Sequence, residues 1–186
     1  MRLGERAPDV QVHLTVANSD AVCDAVLRHE VQVGLVETGR TPAGLQSVVV
    51  ATDRLVLVVD PRHPWATRAR PVMPAELGRT PLAIREAGSG TRRILDEALA
   101  ATGHAPVPAA YELSSNAAVR ICAATGAAPA VLSELAVRDA VERKELTVVP
   151  TRQLDLSRRI QAVWTGGRRP VGPTALLLSC TRQPAR

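Results

Sequence analysis

No phenylalanine occurs among these 186 residues, and one tyrosine and two tryptophans hold the aromatic share at 2%. A core short of aromatics must be built from Val, Leu, Ile and Ala, which suits a buried sheet covered by helices better than an aromatic-rich sandwich. The same scarcity removes the stacking platforms on which single-stranded nucleic acid is held. Cysteine is also sparse. Cys23, Cys122 and Cys180 are odd in number, far apart and set in apolar helical patterns, so they read as reduced core residues rather than disulfides or metal ligands. Long hydrophobic runs are missing, and Met1–Arg6 has no apolar stretch of the signal-peptide kind. The expectation is a cytoplasmic protein with no membrane partner. The four histidines show no metal-ligand spacing, and no Ser/His/Asp set stands out. Glu76, Asp96 and Glu97 read as solvent faces of helices. No enzyme, metal or cofactor is expected.

What is present is a chain that is 46% hydrophobic with a net charge of +5. That is enough apolar material for a core, as one domain or two small lobes. A basic balance favours anionic partners. The arginines (Arg68, Arg70, Arg79, Arg138, Arg143, Arg168 and Arg169 among them) are scattered and form no basic helix, so DNA contact by this chain should be non-specific and salt-labile.

The periodicity alternates strands and helices. Val10, Val12, Leu14 and Val16 alternate with polar residues as a half-buried strand. Asn18-Ser19-Asp20 caps a helix with Val22, Cys23, Val26 and Leu27 on one face. Val31–Val36 is a buried strand. Leu45–Val50 and Leu55–Val59 are two more, divided by the polar break Thr52-Asp53-Arg54. After a short helix at Pro74–Leu77, the strand Leu82–Ile84 runs into Arg85-Glu86-Ala87-Gly88-Ser89-Gly90-Thr91-Arg92, a glycine-rich turn opening a helix with Ile94, Leu95, Ala98 and Leu99 inside. The strand Ala109–Leu113 precedes a helix capped by Ser114-Ser115-Asn116. A strand at Ala130–Leu132, a helix from Ser133 through Val141 and a strand at Leu146–Val149 follow. Leu154–Trp164 reads as a strand broken at Arg158-Arg159, and Pro170–Cys180 as a final helix. Such βα alternation predicts mostly parallel sheets covered by helices, an α/β fold.

Four segments resemble the effector-binding domain of LysR-type transcriptional regulators. They are Val16–Val22 with Ala25–Leu27 and Val33–Glu37; Asp53–Val59 with His63–Ala66; Arg85–Arg92 with Glu112–Ser115; and Leu132–Val137. The similarity runs from about Asp9 to Cys180, and the run from Glu86 to Arg92 is similar to that of CysL- and CbbR-like members. The resemblance implies two Rossmann-like lobes of the type 2 periplasmic-binding-protein kind joined by a crossover hinge, residues 1–70 with 161–186 and residues 71–160. It also implies a ligand-sensing module that binds a small effector between the lobes and acts on DNA through a separate winged helix-turn-helix; the helix-opening turn makes a small anion the expected effector, and a homodimer or higher oligomer is the expected assembly. By the family's pattern, that domain and the effector domain's first strand would lie ahead of Met1, leaving an unpaired sheet edge. Gln32 stands where the family usually has Asp, and Pro129 falls where a strand donor belongs.

The candidate effector contacts are Asn18, Ser19, Gly88, Ser89, Gly90, Thr91, Arg92, Ser114, Ser115 and Ala127. Ser89 and Thr91 offer hydroxyls at a helix N-terminus, where backbone N–H groups and the dipole favour an anion; either can instead be a cap. Arg92 offers a bidentate clamp or a solvated first-turn cation, the latter disfavoured by the dipole. Asn18, Ser19, Ser114 and Ser115 are caps or ligand contacts. Ala127 offers backbone groups if Pro129 leaves the local path unchanged. Two other classes remain open: a truncated partner acting through protein–protein contact, and a stand-alone solute-binding protein.

Overall fold

A computed structural model describes residues 7–37, 41–167 and 169–181; the readings made for Met1–Arg6 and Arg168 lie outside them. The chain divides into two compact units, Met1–Thr52 with Arg159–Arg186, and Asp53–Arg158. The lobes expected at 1–70 with 161–186 and at 71–160 compare with units that meet at Thr52 and Asp53 and at Arg158 and Arg159.

In the first unit, Asn18 caps α1 (Ser19–Leu27), and β1 (Gly34–Val36) pairs antiparallel with β7 (Ser157–Trp164) through Gly34↔Val163 and Val36↔Gln161. The strand order is β1-β7-β2, where β2 is Gln46–Val59. Cys23, Val26, Val36, Leu45 and Val163 form one apolar cluster; Ala162, Trp164 and Leu178 of α6 (Gly172–Thr181) form another. Gly34 is required for the helix to lie against the strand, because a Cβ there would collide with Val22. The expected strand at Val10–Val16 does not form. Val12, Leu14 and Val16 are exposed by 60, 85 and 88%. Alternation gives a strand its two faces, but a strand also needs a neighbour to complete its ladder, and among the described residues none lies beside it.

The second unit is a sheet ordered β2-β5-β3-β4, with β6 (Thr147–Val149) also paired to β2. The strands β3 (Leu82–Arg85), β4 (Ala109–Leu113) and β5 (Ala130–Ser133) run parallel to one another, whereas β2 is antiparallel to both β5 and β6. The expected mostly parallel sheet is therefore mixed. The crossover rule governs strands joined through helices; β2 arrives directly from the other unit and escapes it.

Both faces are covered. On one, Leu55, Leu57, Val59, Leu82, Ile84 and Val131 meet Leu77 of α2 (Pro74–Leu77) and Leu95, Ala98 and Leu99 of α3 (Gly90–Ala100). On the other, Val56, Val58, Ala83, Ala130 and Leu132 meet Val119 and Ala123 of α4 (Asn116–Ala124) and Val137 and Ala140 of α5 (Glu134–Glu142). Continuous apolar strands buried on both sides are the signature of a helix-covered sheet.

The two expected strands at 45–50 and 55–59 are one, since β2 passes through Thr52-Asp53-Arg54 unbroken. Likewise β7 passes through Arg158-Arg159. Asp53 and Arg158 pair with each other and Arg54 with Glu134, so these charges are met from the side and the ladder continues. Pro129 does no harm, because its carbonyl, not its nitrogen, makes the sheet bond, accepting from the Ala83 N–H at 2.9 Å.

Candidate functional site

Parallel pairing of β3 with β4 and β5 places their carboxyl ends on one edge of the second unit's sheet. Three helices begin there, and each has serine at its N-cap: Ser89 for α3, Ser115 for α4 and Ser133 for α5. The first turn of a helix leaves N–H groups without intrahelical acceptors, and its dipole end is positive. Ser115 Oγ accepts from the Ala118 N–H at 3.1 Å and Ser133 Oγ from the Ala136 N–H at 3.3 Å. Ser89, like Ser115, has an extended cap conformation, yet its side chain makes no capping bond. It is only 3% exposed, and among the described residues no fully buried side-chain polar atom lacks a partner. The Ser89 oxygen therefore keeps its hydrogen-bonding capacity at the small part of its surface that solvent reaches. Gly88 makes the turn possible, with φ +85°, a conformation that side chains resist. The turn itself is closed by the Ser89 N–H donating to Glu86 O at 3.2 Å.

Thr91 is buried beside it, and its hydroxyl accepts from Arg158 Nη1 at 3.1 Å. Arg92 is engaged within the chain. Its Nη1 lies 2.7 Å from Glu112 Oε2 on β4, and its Nε lies 3.8 Å from Asp96. Burial raises the Asp96 carboxyl above its ordinary range, against the pull of Arg92. Arg85 is bidentate to Glu86 at 2.8 and 2.9 Å and donates to Asn116 Oδ1 at 2.7 Å, tying the end of β3 to the start of α4. Arg54 grips Glu134 at the start of α5. Each of these three arginines is answered by a carboxylate, and beside them the helix termini and the Ser89 hydroxyl are anion-directed features of the edge.

The remaining expected residues are distributed as follows. Ser115 is a cap and Ser114 is exposed beside it. In the first unit, Asn18 Oδ1 accepts from the Ala21 N–H at 3.0 Å, and buried Ser19 accepts from the Glu37 N–H at 3.3 Å. Ala127 does not join the turn. It precedes β5, whereas Ser89 follows β3, and the two strands are parallel, so the residues lie at opposite sheet edges. Its N–H is also engaged, donating to Cys122 O at 3.1 Å. Sequence reasoning missed Asp53, Arg85, Asn116, Ser133 and Arg158. For Asp53, Arg85 and Arg158, charge within or beside apolar strand runs was the available signal, since an ionised side chain is rarely buried without a partner.

The opposite edge, where β2 ends, carries a groove of about 640 Å³ walled by Asp60, Arg62, Arg120, Ile121, Arg143 and Lys144. A hollow of about 200 Å³ beside it is lined in part by His63, Gly126 and Pro129. None of the expected contacts lines either. Hydrogen bonds from Arg62 hold the Asp60 carboxyl down to about 2.

Comparison with known proteins gives a consistent result. The pattern described as LysR substrate binding domain matches residues 1–184. An HTH-type transcriptional regulator of Mycobacterium tuberculosis, Rv2282c, is 43% identical over 173 residues, 91% of this chain and 55% of that one. The HTH-type regulator CbbR of Xanthobacter flavus is 28% identical over 160 residues, 85% of this chain and 47% of its own. The chain thus spans about half the length of the curated relatives it matches. Among solved structures, the CcmR regulatory domain of Synechocystis in complex with 2-PG superposes with a TM-score of 0.83 at 23% identity, covering 96% of this chain and 85% of that one. The effector-binding domain of QuiR in complex with shikimate gives 0.80 at 10% identity, covering 97% and 84%. These likenesses show a shared fold, the type 2 periplasmic-binding-protein-like one.

Proposed function

The chain belongs to the LysR substrate binding domain family, and from that membership we propose that it is the ligand-sensing regulatory domain of a transcriptional regulator, binding a small anionic effector and working in the cytoplasm without catalysing a reaction. DNA recognition is assigned to the helix-turn-helix part of a longer protein, as in relatives twice this length, and the regulator is proposed to act as a homodimer or higher oligomer.

The observation that carries the effector reading is Ser89: an N-cap serine, nearly buried, whose oxygen serves no cap while the serines of both neighbouring helices do. A hydroxyl and a helix N-terminus converging at the carboxyl ends of parallel strands make a place for an anion's oxygens. Two fold neighbours are complexes with 2-PG and with shikimate, which supports a small acid here. Gly88 and Gly90 keep the turn open for backbone contact. Thr91 orients the helix, and Arg92 closes the outer flank through Glu112 instead of gripping the ligand.

Titration calorimetry and thermal shift with 2-phosphoglycolate, shikimate and sodium sulfate test the reading. At least one should bind saturably, and Ser89→Ala should weaken it by roughly tenfold or more, the worth of a hydrogen bond to a charged group. Failure of Ser89→Ala to change any measured affinity, or of every acid to bind, would remove the basis for the assignment.

A further inference from the structure

Asp53 is the first residue of the second unit and Arg158 the last. Their side chains form an ion pair, each only 2% exposed, with Arg158 Nε and Nη2 at 2.9 and 2.7 Å from one Asp53 oxygen. The third guanidinium nitrogen, Nη1, donates to Thr91 Oγ1 at 3.1 Å. One buried cation thus touches both strands on which the chain enters and leaves the unit, β2 and β7, and the first turn of α3.

A buried ion pair contributes little net stability, because desolvation consumes most of the Coulombic gain. What it supplies is a fixed geometry: guanidinium nitrogens lie in a rigid plane, so moving one partner forces the others to move or lose a bond. We propose that Arg158 is a positioning residue that couples the first turn of α3 to the two crossing strands, so that ligand occupancy at the Ser89–Thr91 turn is transmitted to the points where the chain passes between its units. This rests on the effector reading above for the identity of the signal, though not for the coupling itself. A ligand that fixes the turn holds Thr91 in place. Thr91 fixes the rotation of the Arg158 plane, and that plane fixes Asp53 on the neighbouring strand. Coupling of this kind is reciprocal: loosening the strands must loosen the turn.

Hydrogen–deuterium exchange on the 186-residue chain separates the two claims. In the ligand-free protein, Thr91→Val, which keeps the shape and removes the hydroxyl, should speed exchange of amides 53–56 and 157–160 by roughly tenfold, about one buried hydrogen bond. Thr91→Ser, which keeps the oxygen, should restore the wild-type rates. Arg158→Met should in turn speed exchange at 89–93. Wild-type rates at both strands in Thr91→Val would overturn the proposal. In a second arm, with 2-phosphoglycolate or sulfate at saturation, protection at 88–93 should appear in both proteins, but protection at 53–56 and 157–160 only in the wild type. Equal protection of the strands in both would also overturn it. Absence of protection at 88–93 in the wild type counts against the effector reading alone, and the ligand-free arm still decides the coupling.

Discussion

Replacing Ser115 by alanine removes the oxygen that accepts from the Ala118 N–H, and loss of an N-cap of this kind costs about 1 kcal/mol. Replacing Ser89 removes an oxygen that caps nothing. Urea denaturation of the ligand-free variants should therefore show Ser115→Ala lowered by about that amount and Ser89→Ala close to the wild type. Equal losses would mean that Ser89 is an ordinary cap. Asp60 supplies a second contrast at this scale. Its folded-state value of about 2 lies below that of an unfolded aspartate, because Arg62 donates to it from both side chain and backbone. A carboxyl depressed on folding contributes stability that is complete above the unfolded value near 4 and drains away as pH falls from about 4 toward 2. Thermal melts across that window should fall less steeply in Asp60→Asn than in the wild type. Parallel curves would show that the Asp60–Arg62 pair adds nothing to folding.

Elements whose evidence is local were legible in the residues. The apolar face Leu95, Ala98 and Leu99 marks α3, the cap residues Asn18 and Ser115 mark two helix starts, and unbroken runs such as Leu55–Val59 mark strands buried on both faces. The turn at Gly88–Thr91 was legible for the same reason, since glycine and hydroxyl residues before a helical pattern have a local meaning. What failed was whatever depends on a distant partner. Thr52-Asp53-Arg54 looks like a break because three polar residues interrupt a run; it is strand because Arg158 and Glu134, far along the chain, meet two of those charges. Val10–Val16 has a strand's alternation but no neighbouring ladder among the described residues. The Arg92–Glu112 pair was likewise invisible, because β4 brings Glu112 from twenty residues along the chain. Ala127 was separated from the turn by strand direction alone, which no spacing in the chain encodes.

The two units differ in how much apolar surface the described residues bury. The second holds two broad layers, with Leu57, Leu77, Leu82, Leu99, Leu132 and Leu146 almost fully enclosed. The first holds two small clusters around Val26, Val36 and Val163 and around Ala162 and Trp164. Burial of apolar area is the main favourable contribution to folding, so local opening should need less free energy in the first unit than in the second. The sequence provides a reporter for each, because its two tryptophans fall on opposite sides of the division: Trp164 packs in the first unit with its Nε1 donating to Gly167 O at 3.0 Å, and Trp65 in the second with its Nε1 donating to Glu76 Oε1 at 3.0 Å. In Trp65→Phe, fluorescence follows the first unit; in Trp164→Phe, it follows the second. Urea titrations should give an earlier midpoint for the protein that retains Trp164, with far-UV circular dichroism of both variants showing the same two steps as the wild type. A single midpoint shared by both tryptophans and by circular dichroism would mean that the continuous strands β2 and β7 bind the units into one cooperative transition. The smaller core would then open no earlier than the larger.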